Sequence, residues 1–265
     1  MKIRLTIFLT FIYLSVFSQL NPSIESQFFR DTLFSKSLNE NRLLTIYLPI
    51  GFNRDSIYPV IYTTDGQIIN ESYQKKLDSL INFKLIPKLV LIGVHSNETP
   101  VKGAGEIRNF EYMENRSSDN DTVYGMKFNQ HMQFFSNEVL IYTEAKYSVS
   151  RLKKDRIFYG VSNGADYGVS LAMHKAYLFE NYIYCSIFNG TSLKYKWTIN
   201  DKLNFYIYYG NKEMSEVKDN SNDLCAYLKR NDLNYTIKSY SGGHDRLKWE
   251  EMFFESLTII YSIEK

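Results

Sequence analysis

The chain alternates short apolar runs with longer amphipathic stretches from residue 28 onwards. Apolar runs rich in β-branched and aromatic residues predict strands, which fall at residues 28–37, 43–48, 59–64, 89–94, 157–159, 182–188, 205–209 and 235–240. Apolar residues at helical spacing predict helices at residues 71–83, 128–147, 163–177, 217–229 and 247–262. The first two strands join through a polar turn and predict an antiparallel pair, whereas apolar strands separated by helices are typical of a parallel sheet. The pattern therefore predicts an α/β fold with a mostly parallel central sheet and helices on both faces.

Two further segments are residues 96–124, which lack a pattern, and the helix predicted at residues 128–147. Residues 96–124 are polar and show no period, which predicts a long loop. Such a loop is either a functional lid or binding loop, or a surface insertion. In the helix predicted at residues 128–147, the spacing puts five apolar residues on the inner side: Phe134, Phe135, Val139, Leu140 and Ile141.

The N-terminus has the pattern of a secretory signal peptide. Lys2 and Arg4 precede an apolar run at residues 5–17, and Ser18 stands at the expected cleavage site. An uncleaved anchor is the alternative, but a membrane span needs about 20 apolar residues. No cysteine near the cleavage site could carry a lipid. We therefore expect an exported protein, periplasmic or secreted, whose residues 19–265 form a single domain without stable membrane insertion.

Composition narrows the class of partner. The 31 basic and 29 acidic residues nearly cancel and are scattered, so nothing indicates a nucleic-acid partner. No Cys/His spacing suggests zinc, and neither a dinucleotide-binding nor a Walker-type glycine motif is present. We expect no cofactor, no metal and a small-molecule substrate, while the number of subunits stays open.

The two cysteines allow more than one interpretation. Export would permit a disulfide between Cys185 and Cys225. Both residues also lie in apolar segments where buried free thiols are common. A catalytic thiol has less support, because neither cysteine has a histidine in its sequence context.

The strongest motif is G-x-S-x-G at residues 160–164, between a predicted strand and a predicted helix. A serine at this sharp turn projects above the sheet, and small residues two positions before and after it let the neighbouring backbone pass. The hydroxyl also lies at the positive end of the following helix, where negative charge is favoured. Ser162 is therefore the predicted nucleophile, with a structural glycine turn as the alternative.

A serine nucleophile needs a base that takes its proton. His131 and His174 fall inside predicted helices, and His95 precedes the serine, which is the wrong order for a hydrolase of this type. His244 follows the last predicted strand and two glycines, where the chain order of serine, acid and histidine puts the base. We therefore predict His244 as the base.

The acid that orients the base should lie between these two residues, just after a strand. Glu213 follows the strand at residues 205–209 and is the predicted acid. Glu216, Asp219 and Asp223 are competitors, and any of these carboxylates could be an ordinary helix-start residue.

An oxyanion hole needs two backbone N–H donors. The residue after the nucleophile, Asn163, supplies one, and Gly66 or Gln67 after the third strand supplies the other. A plain turn explains the Asp-Gly sequence at residues 65–66 equally well.

Several segments together resemble the esterase family that includes esterase D, feruloyl esterases, enterobactin-type siderophore esterases and the mycolyltransferases. The matching segments cover most of the mature chain: residues 42–49, 58–66, 108–112, 160–165 and 210–213, and Gly243-His244 with Trp249 behind them. The resemblance implies an α/β-hydrolase fold without a large cap domain, and a triad of Ser162, Glu213 and His244. It also implies that Arg108 and Glu111 lie near the substrate pocket, although a salt-bridged loop would explain them as well.

The sequence departs from the family at two points. Glu213 stands where many members have aspartate, and residues 191–200 match nothing that indicates a substrate. The expected activity is hydrolysis of a carboxylic ester, such as a siderophore lactone or an acylated sugar or glycan. An acyltransferase with the same triad and a non-catalytic binding protein remain the alternatives, because fold and triad do not fix specificity.

Overall fold

The computed structural model describes residues 25–116, 123–188 and 202–263. The predicted signal peptide and residues 191–200 lie outside these ranges. Ten strands occur in the described chain: β1 (Gln27–Ser35), β2 (Glu40–Leu48), β3 (Val60–Thr63), β4 (Val90–Val94), β5 (Pro100–Val101), β6 (Gly105–Glu106), β7 (Arg156–Val161), β8 (Asn181–Cys185), β9 (Asn204–Gly210) and β10 (Asn234–Tyr240).

Eight of these strands form one sheet in the order β1-β2-β4-β3-β7-β8-β9-β10. Strands β1 and β2 form an antiparallel hairpin, and β2 is also antiparallel to β4. Every pairing from β4 through β10 is parallel. The parallel strands therefore bring their carboxyl ends to one edge of the sheet, where ligands bind in open α/β sheets.

Helices cover both faces of the sheet. They are α1 (Glu71–Asn82), α2 (Ile107–Tyr112), α3 (Lys127–Gln133), α4 (Leu140–Tyr147), α5 (Asn163–His174), α6 (Ser215–Arg230) and α7 (Arg246–Ile263). Side chains of α1 and α7 pack in one core cluster, and those of α3 to α6 pack in the other. Within the described ranges, no helix is long and apolar enough to cross a bilayer.

The helix predicted at residues 128–147 contains a π-helical segment. Helix α3 continues into the π-helix Phe134–Val139 and then into α4. A π turn adds a residue to the helical repeat and rotates the residues that follow it. Four of the predicted inner residues are buried, but the prediction for Ile141 was wrong, since this side chain is 65% exposed.

The segment predicted as an unstructured loop contains regular structure. Strands β5 and β6 form a small hairpin, and α2 follows directly. Two-residue strands are too short to show a period. Helix α2 buries three consecutive residues, Phe110, Glu111 and Tyr112, so it has no amphipathic pattern either.

Candidate active site

Ser162 lies at the turn between β7 and α5, with φ 54° and ψ −127°. A non-glycine residue in this region is strained by about 1–3 kcal/mol. The neighbouring glycines permit the turn. A Cβ on Gly160 would lie 2.4 Å from the carbonyl oxygen of Gly164, and a Cβ on Gly164 would lie 2.3 Å from Thr64 Oγ1. The two glycines of the motif are therefore explained by the close approach of neighbouring atoms around a half-buried serine.

His244 lies on the loop after β10 and is paired with Glu213, which lies on the loop after β9. Nδ1 of His244 donates to Oε2 of Glu213 over 3.0 Å. The carboxylate side chain is 1% exposed, whereas the imidazole is 40% exposed. This arrangement fixes the tautomer of the imidazole and leaves Nε2 free to act as a base.

The second oxygen of Glu213 accepts three further hydrogen bonds. Oε1 accepts from the hydroxyl of Ser186, from the hydroxyl of Tyr240 at 2.9 Å, and from the amide of Gly210 at 3.1 Å. Burial raises the pKa of Glu213, but the hydrogen bonds from His244, Ser186, Gly210 and Tyr240 outweigh it and hold the pKa below its ordinary value. Glu213 is therefore ionised when it faces the imidazole.

Ser162 and His244 line the same cleft, which has a volume of about 320 Å³. The cleft opens at the carboxyl edge of the parallel strands. Much of its lining is charged, with Asp65, Glu98, Glu106, Arg108 and Arg246 among the lining residues. Ser162 and the imidazole that Glu213 orients thus share a polar cleft large enough for a small ester.

Two helix starts supply backbone donors beside the serine. Asn163 is the first residue of α5, and Gly66 and Gln67 begin the 3-10 helix Gly66–Ile68. The first N–H groups of a helix have no partner within that helix. Gly66 also packs on the backbone of Gly93, because a Cβ on Gly66 would lie 2.2 Å from the Gly93 carbonyl oxygen. The three predicted oxyanion-hole residues therefore lie at helix starts next to the cleft.

The two residues that the resemblance placed near the pocket have different surroundings. Arg108 lines the cleft and makes a bidentate ion pair with Asp65, at 2.5 and 2.7 Å. Glu111 is fully buried and pairs with the guanidinium of Arg42, away from the cleft lining. Both residues thus form salt bridges, as the alternative interpretation has it, and of the two Arg108 also lines the cleft.

A family model described as "Putative esterase" matches residues 35–260 of the chain. This chain belongs to that esterase family. Membership confirms the resemblance drawn from the sequence and indicates an enzyme that hydrolyses esters. A relative in Bacillus subtilis strain 168, the uncharacterized protein YjcH, is 23% identical over 238 residues, which cover 84% of this esterase and 93% of the relative.

Solved structures of similar fold include a ferulic acid esterase, with a TM-score of 0.72 and 18% identity over 89% of this chain and 98% of that one. The enterobactin esterase of Shigella flexneri gives a TM-score of 0.71 and 13% identity, over 92% of this chain and 62% of its own length. At these identities the likeness establishes the fold. The predicted α/β-hydrolase fold is thereby confirmed.

The other histidines of this esterase lie away from the cleft lining. His95 contacts Arg30 and Thr45, and burial lowers its pKa to about 4 with a further contribution from Arg30. His131 is fully buried among aromatic rings, and burial lowers its pKa well below the ordinary value. His174 pairs with Glu114 on the surface.

The competing acids lie on the exposed side of α6. Glu216, Asp219 and Asp223 are all exposed, and Glu216 occupies the first turn of the helix. Of these four carboxylates, the structure brings Glu213 to the histidine. The other three side chains are exposed to solvent, and of these Glu216 alone has the helix-start position that the alternative interpretation describes.

The two cysteines are free and buried. Burial raises the pKa of Cys185 well above its ordinary value, and burial raises the pKa of Cys225 to about 12. Both thiols therefore stay protonated and poorly nucleophilic. In the described part of the chain, no group of three or more His, Cys, Asp or Glu side chains is placed to hold a metal ion.

Sequence reasoning did not find Ser186, Tyr240 and the hydrogen-bonding role of Trp249. Ser186 follows β8, and Tyr240 is the last residue of β10. Tyr240 ends a predicted strand, which was the available signal, whereas Ser186 fell inside the strand predicted at residues 182–188 and carried no such signal. Tyr240 is one of 22 tyrosines, so its residue type alone does not distinguish it.

Proposed function

We propose that this protein is an exported serine esterase that cleaves a polar carboxylic ester through an acyl-enzyme. The observation that carries the proposal is the Glu213–His244 hydrogen bond in a cleft shared with the strained Ser162. A nucleophile, an oriented base and orphan backbone donors are the parts that acyl transfer requires.

In the first half-reaction, the hydroxyl oxygen of Ser162 attacks the ester carbonyl carbon while Nε2 of His244 takes the hydroxyl proton. The N–H groups of Asn163 and of Gly66 or Gln67 stabilise the oxyanion of the tetrahedral intermediate. Collapse of the intermediate breaks the bond to the alkoxy oxygen, and His244 returns its proton to the departing alcohol. The ionised Glu213 stabilises the imidazolium that forms between these two steps.

In the second half-reaction, His244 takes a proton from water, and the hydroxide oxygen attacks the acyl carbon. The carboxylic acid leaves, and Ser162 recovers its proton. The 40% exposure of the imidazole supports water as the acyl acceptor, because solvent reaches the base directly. An acyltransferase would need a cleft that excludes water from the acyl-enzyme.

The cleft lining bears on the substrate class. Ionised side chains favour a polar ester over a long-chain lipid ester, because burial of an apolar chain against charges gains little. We propose a siderophore lactone or an acylated sugar or glycan, in keeping with similar structures named for ferulic acid and enterobactin. Export through the signal-like residues 1–18 would place the enzyme in the periplasm or outside the cell, where such esters occur.

The test is hydrolysis of short p-nitrophenyl esters by residues 19–265, beside the variant Ser162→Ala. We expect the variant to lose a factor of roughly 10⁴ or more in kcat. Ser170→Ala is the matched control, because Ser170 is a buried serine on the same helix whose hydroxyl contacts Glu114. The proposal fails if the unaltered protein has no turnover, or if both variants lose activity equally.

A panel of siderophore lactones, acylated sugars and long-chain esters then tests the substrate class. We expect higher kcat/KM for the polar esters than for esters of long fatty acids. A preference for long acyl chains would contradict the polar-cleft argument and leave the triad intact.

A further inference from the structure

The acid of the site is a glutamate, whose side chain is longer than that of aspartate, the other carboxylate that could serve here. Glutamate has one more rotatable bond, so holding it in one geometry costs more conformational entropy. A small displacement of the carboxylate would misdirect His244. The longer acid therefore needs additional restraint.

Three side chains from separate elements supply this restraint. Ser186 follows β8, Tyr240 ends β10 and Trp249 lies on α7. All three are buried, and Ser186 has φ 57°, a strained value for a non-glycine residue. Their polar atoms form one connected group with the carboxylate oxygen Oε1 of Glu213.

The indole sets the direction of the hydrogen bonds. Nε1 of Trp249 lies 2.7 Å from Ser186 Oγ and 3.0 Å from the Tyr240 hydroxyl. An indole N–H can donate but not accept, so both hydroxyls receive from Trp249. The protons of the two hydroxyls are then available to Oε1 of Glu213. The carbonyl oxygen of Gly243 also lies 3.1 Å from the Tyr240 hydroxyl, but the ionised carboxylate is the stronger acceptor.

Trp249 also touches the base itself. The His244 and Trp249 ring centroids are 4.6 Å apart with an interplanar angle of 90°. This edge-to-face contact restricts rotation of the imidazole, as such pairs do elsewhere. One side chain therefore contacts the histidine directly and the acid through two hydroxyls.

We propose that Ser186, Tyr240 and Trp249 are positioning residues that fix Oε1 of Glu213, leaving Oε2 to hold Nδ1 of His244. This inference rests on the proposed serine-esterase function. The hydroxyls act through the acid and do not touch the substrate. Their contribution consequently disappears when the acid is neutralised.

The first test uses Tyr240→Phe and Ser186→Ala, which remove one hydroxyl each and leave the backbone in place. We expect each variant to lose about tenfold in kcat with KM changed less than twofold, because one charge-assisted hydrogen bond orients the acid. Tyr208→Phe is the matched control, since the hydroxyl of this buried tyrosine accepts from Ser256 Oγ, 2.9 Å away on α7, instead of bonding to Glu213.

The same variants should move the pH profile. Without a donor, the carboxylate is more basic and holds the protonated, inactive form of the base more strongly. We expect the acid limb of kcat/KM to shift to higher pH in Tyr240→Phe and Ser186→Ala, and to stay in place in Tyr208→Phe. A loss of stability alone would not move this limb.

A double-mutant cycle decides the proposal. In a Glu213→Gln background, Tyr240→Phe and Ser186→Ala should change kcat by less than twofold, because the group through which they act is gone. If Glu213→Gln abolishes most activity and the hydroxyl variants still lose tenfold on top of it, the positioning role is overturned while the triad stands. If Glu213→Gln itself leaves kcat unchanged, Glu213 is not the acid of the triad, and the proposed function is contradicted at that residue.

Discussion

Two regions of the molecule each hold a buried glutamate and a histidine, and they differ in what surrounds these side chains. At the sheet edge, Glu213 accepts from neutral donors and from His244, whose ring opens on the cleft. On α2, Glu111 is paired with the guanidinium of Arg42, and its Oε2 has no hydrogen-bond partner among the described residues.

The histidines differ in the same way. The His131 ring packs edge-on against Tyr112, Phe134 and Tyr167, and neither ring nitrogen has a hydrogen-bond partner within the described chain. His244 has a carboxylate on one nitrogen and solvent near the other. The same residue types thus have different surroundings in the two regions. Glu213 faces a solvent-accessible imidazole, which suits proton transfer, whereas Glu111 is paired with a cation and His131 is enclosed by aromatic rings, which suits a structural role.

The largest expected change in activity is that of the variant Glu213→Gln. The amide keeps the size of the side chain but presents no charge to the imidazolium, so we expect kcat to fall by about 10³ to 10⁴. Steady-state hydrolysis of p-nitrophenyl acetate measures it. Glu216→Gln, an exposed neighbour on α6, should retain full activity.

The second effect concerns stability. Glu111→Gln leaves the buried guanidinium of Arg42 with Glu40 as its remaining anionic partner, 2.5 Å away. We expect the free energy of unfolding to fall by about 3 kcal/mol, because a buried charge loses its compensation. Urea unfolding measures the loss, and kcat per folded molecule should stay unchanged.

A double replacement tests whether the loss of stability comes from the unpaired charge of Arg42. Arg42→Met with Glu111→Leu removes both charges and should recover most of the lost stability. If instead Glu111→Gln lowered kcat a hundredfold in fully folded protein, Glu111 would belong to the reactive region after all.

A smaller effect, of opposite sign, is expected for His131→Phe. The replacement removes two buried ring nitrogens that have no hydrogen-bond partner among the described residues, so we expect stabilisation by about 1 kcal/mol at pH 7. The pKa of His131 is lowered in the folded state, so protonation favours the unfolded chain as the pH falls below about 6.5.

The stabilisation by His131→Phe should therefore grow between pH 7 and pH 5. Thermal unfolding at both pH values measures it, with His131→Leu as a smaller replacement in case the phenyl ring overpacks. If both His131→Phe and His131→Leu were less stable than the unaltered protein at pH 5, the ring nitrogens of His131 would have hydrogen-bond partners after all.

The smallest effect is expected from thiol reagents. Cys185 and Cys225 are buried and protonated, so iodoacetamide at pH 7.5 should leave hydrolysis unchanged and label little of the folded protein. Rapid inactivation together with labelling of either cysteine would contradict the assignment of Ser162 as the nucleophile.

The sequence predicted the large elements well because their signals are local. The strand at residues 59–64 and the helix at residues 71–83 carry their own apolar pattern, and both occur within two residues of the predicted bounds. The π-helical segment within residues 128–147 had no such signal, so the direction of Ile141 was missed. Helix α2 was missed because its burial is continuous instead of periodic.

The site was predictable where chemistry demanded a residue at a fixed point in the chain order. Ser162, Glu213 and His244 each follow a strand of the parallel sheet, and the structure joins Glu213 to His244 and places the serine and the histidine in one cleft. The hydroxyls around Glu213 depend on how β8, β10 and α7 meet in space, so no sequence spacing indicates them.

The most direct measurement is labelling with a fluorophosphonate followed by mass spectrometry of the intact protein and its peptides. We expect a single adduct on the peptide that contains Ser162, full loss of esterase activity on labelling, and no adduct in Ser162→Ala. An adduct on a different residue, or turnover that persists in Ser162→Ala, would contradict the assignment of Ser162 as the nucleophile.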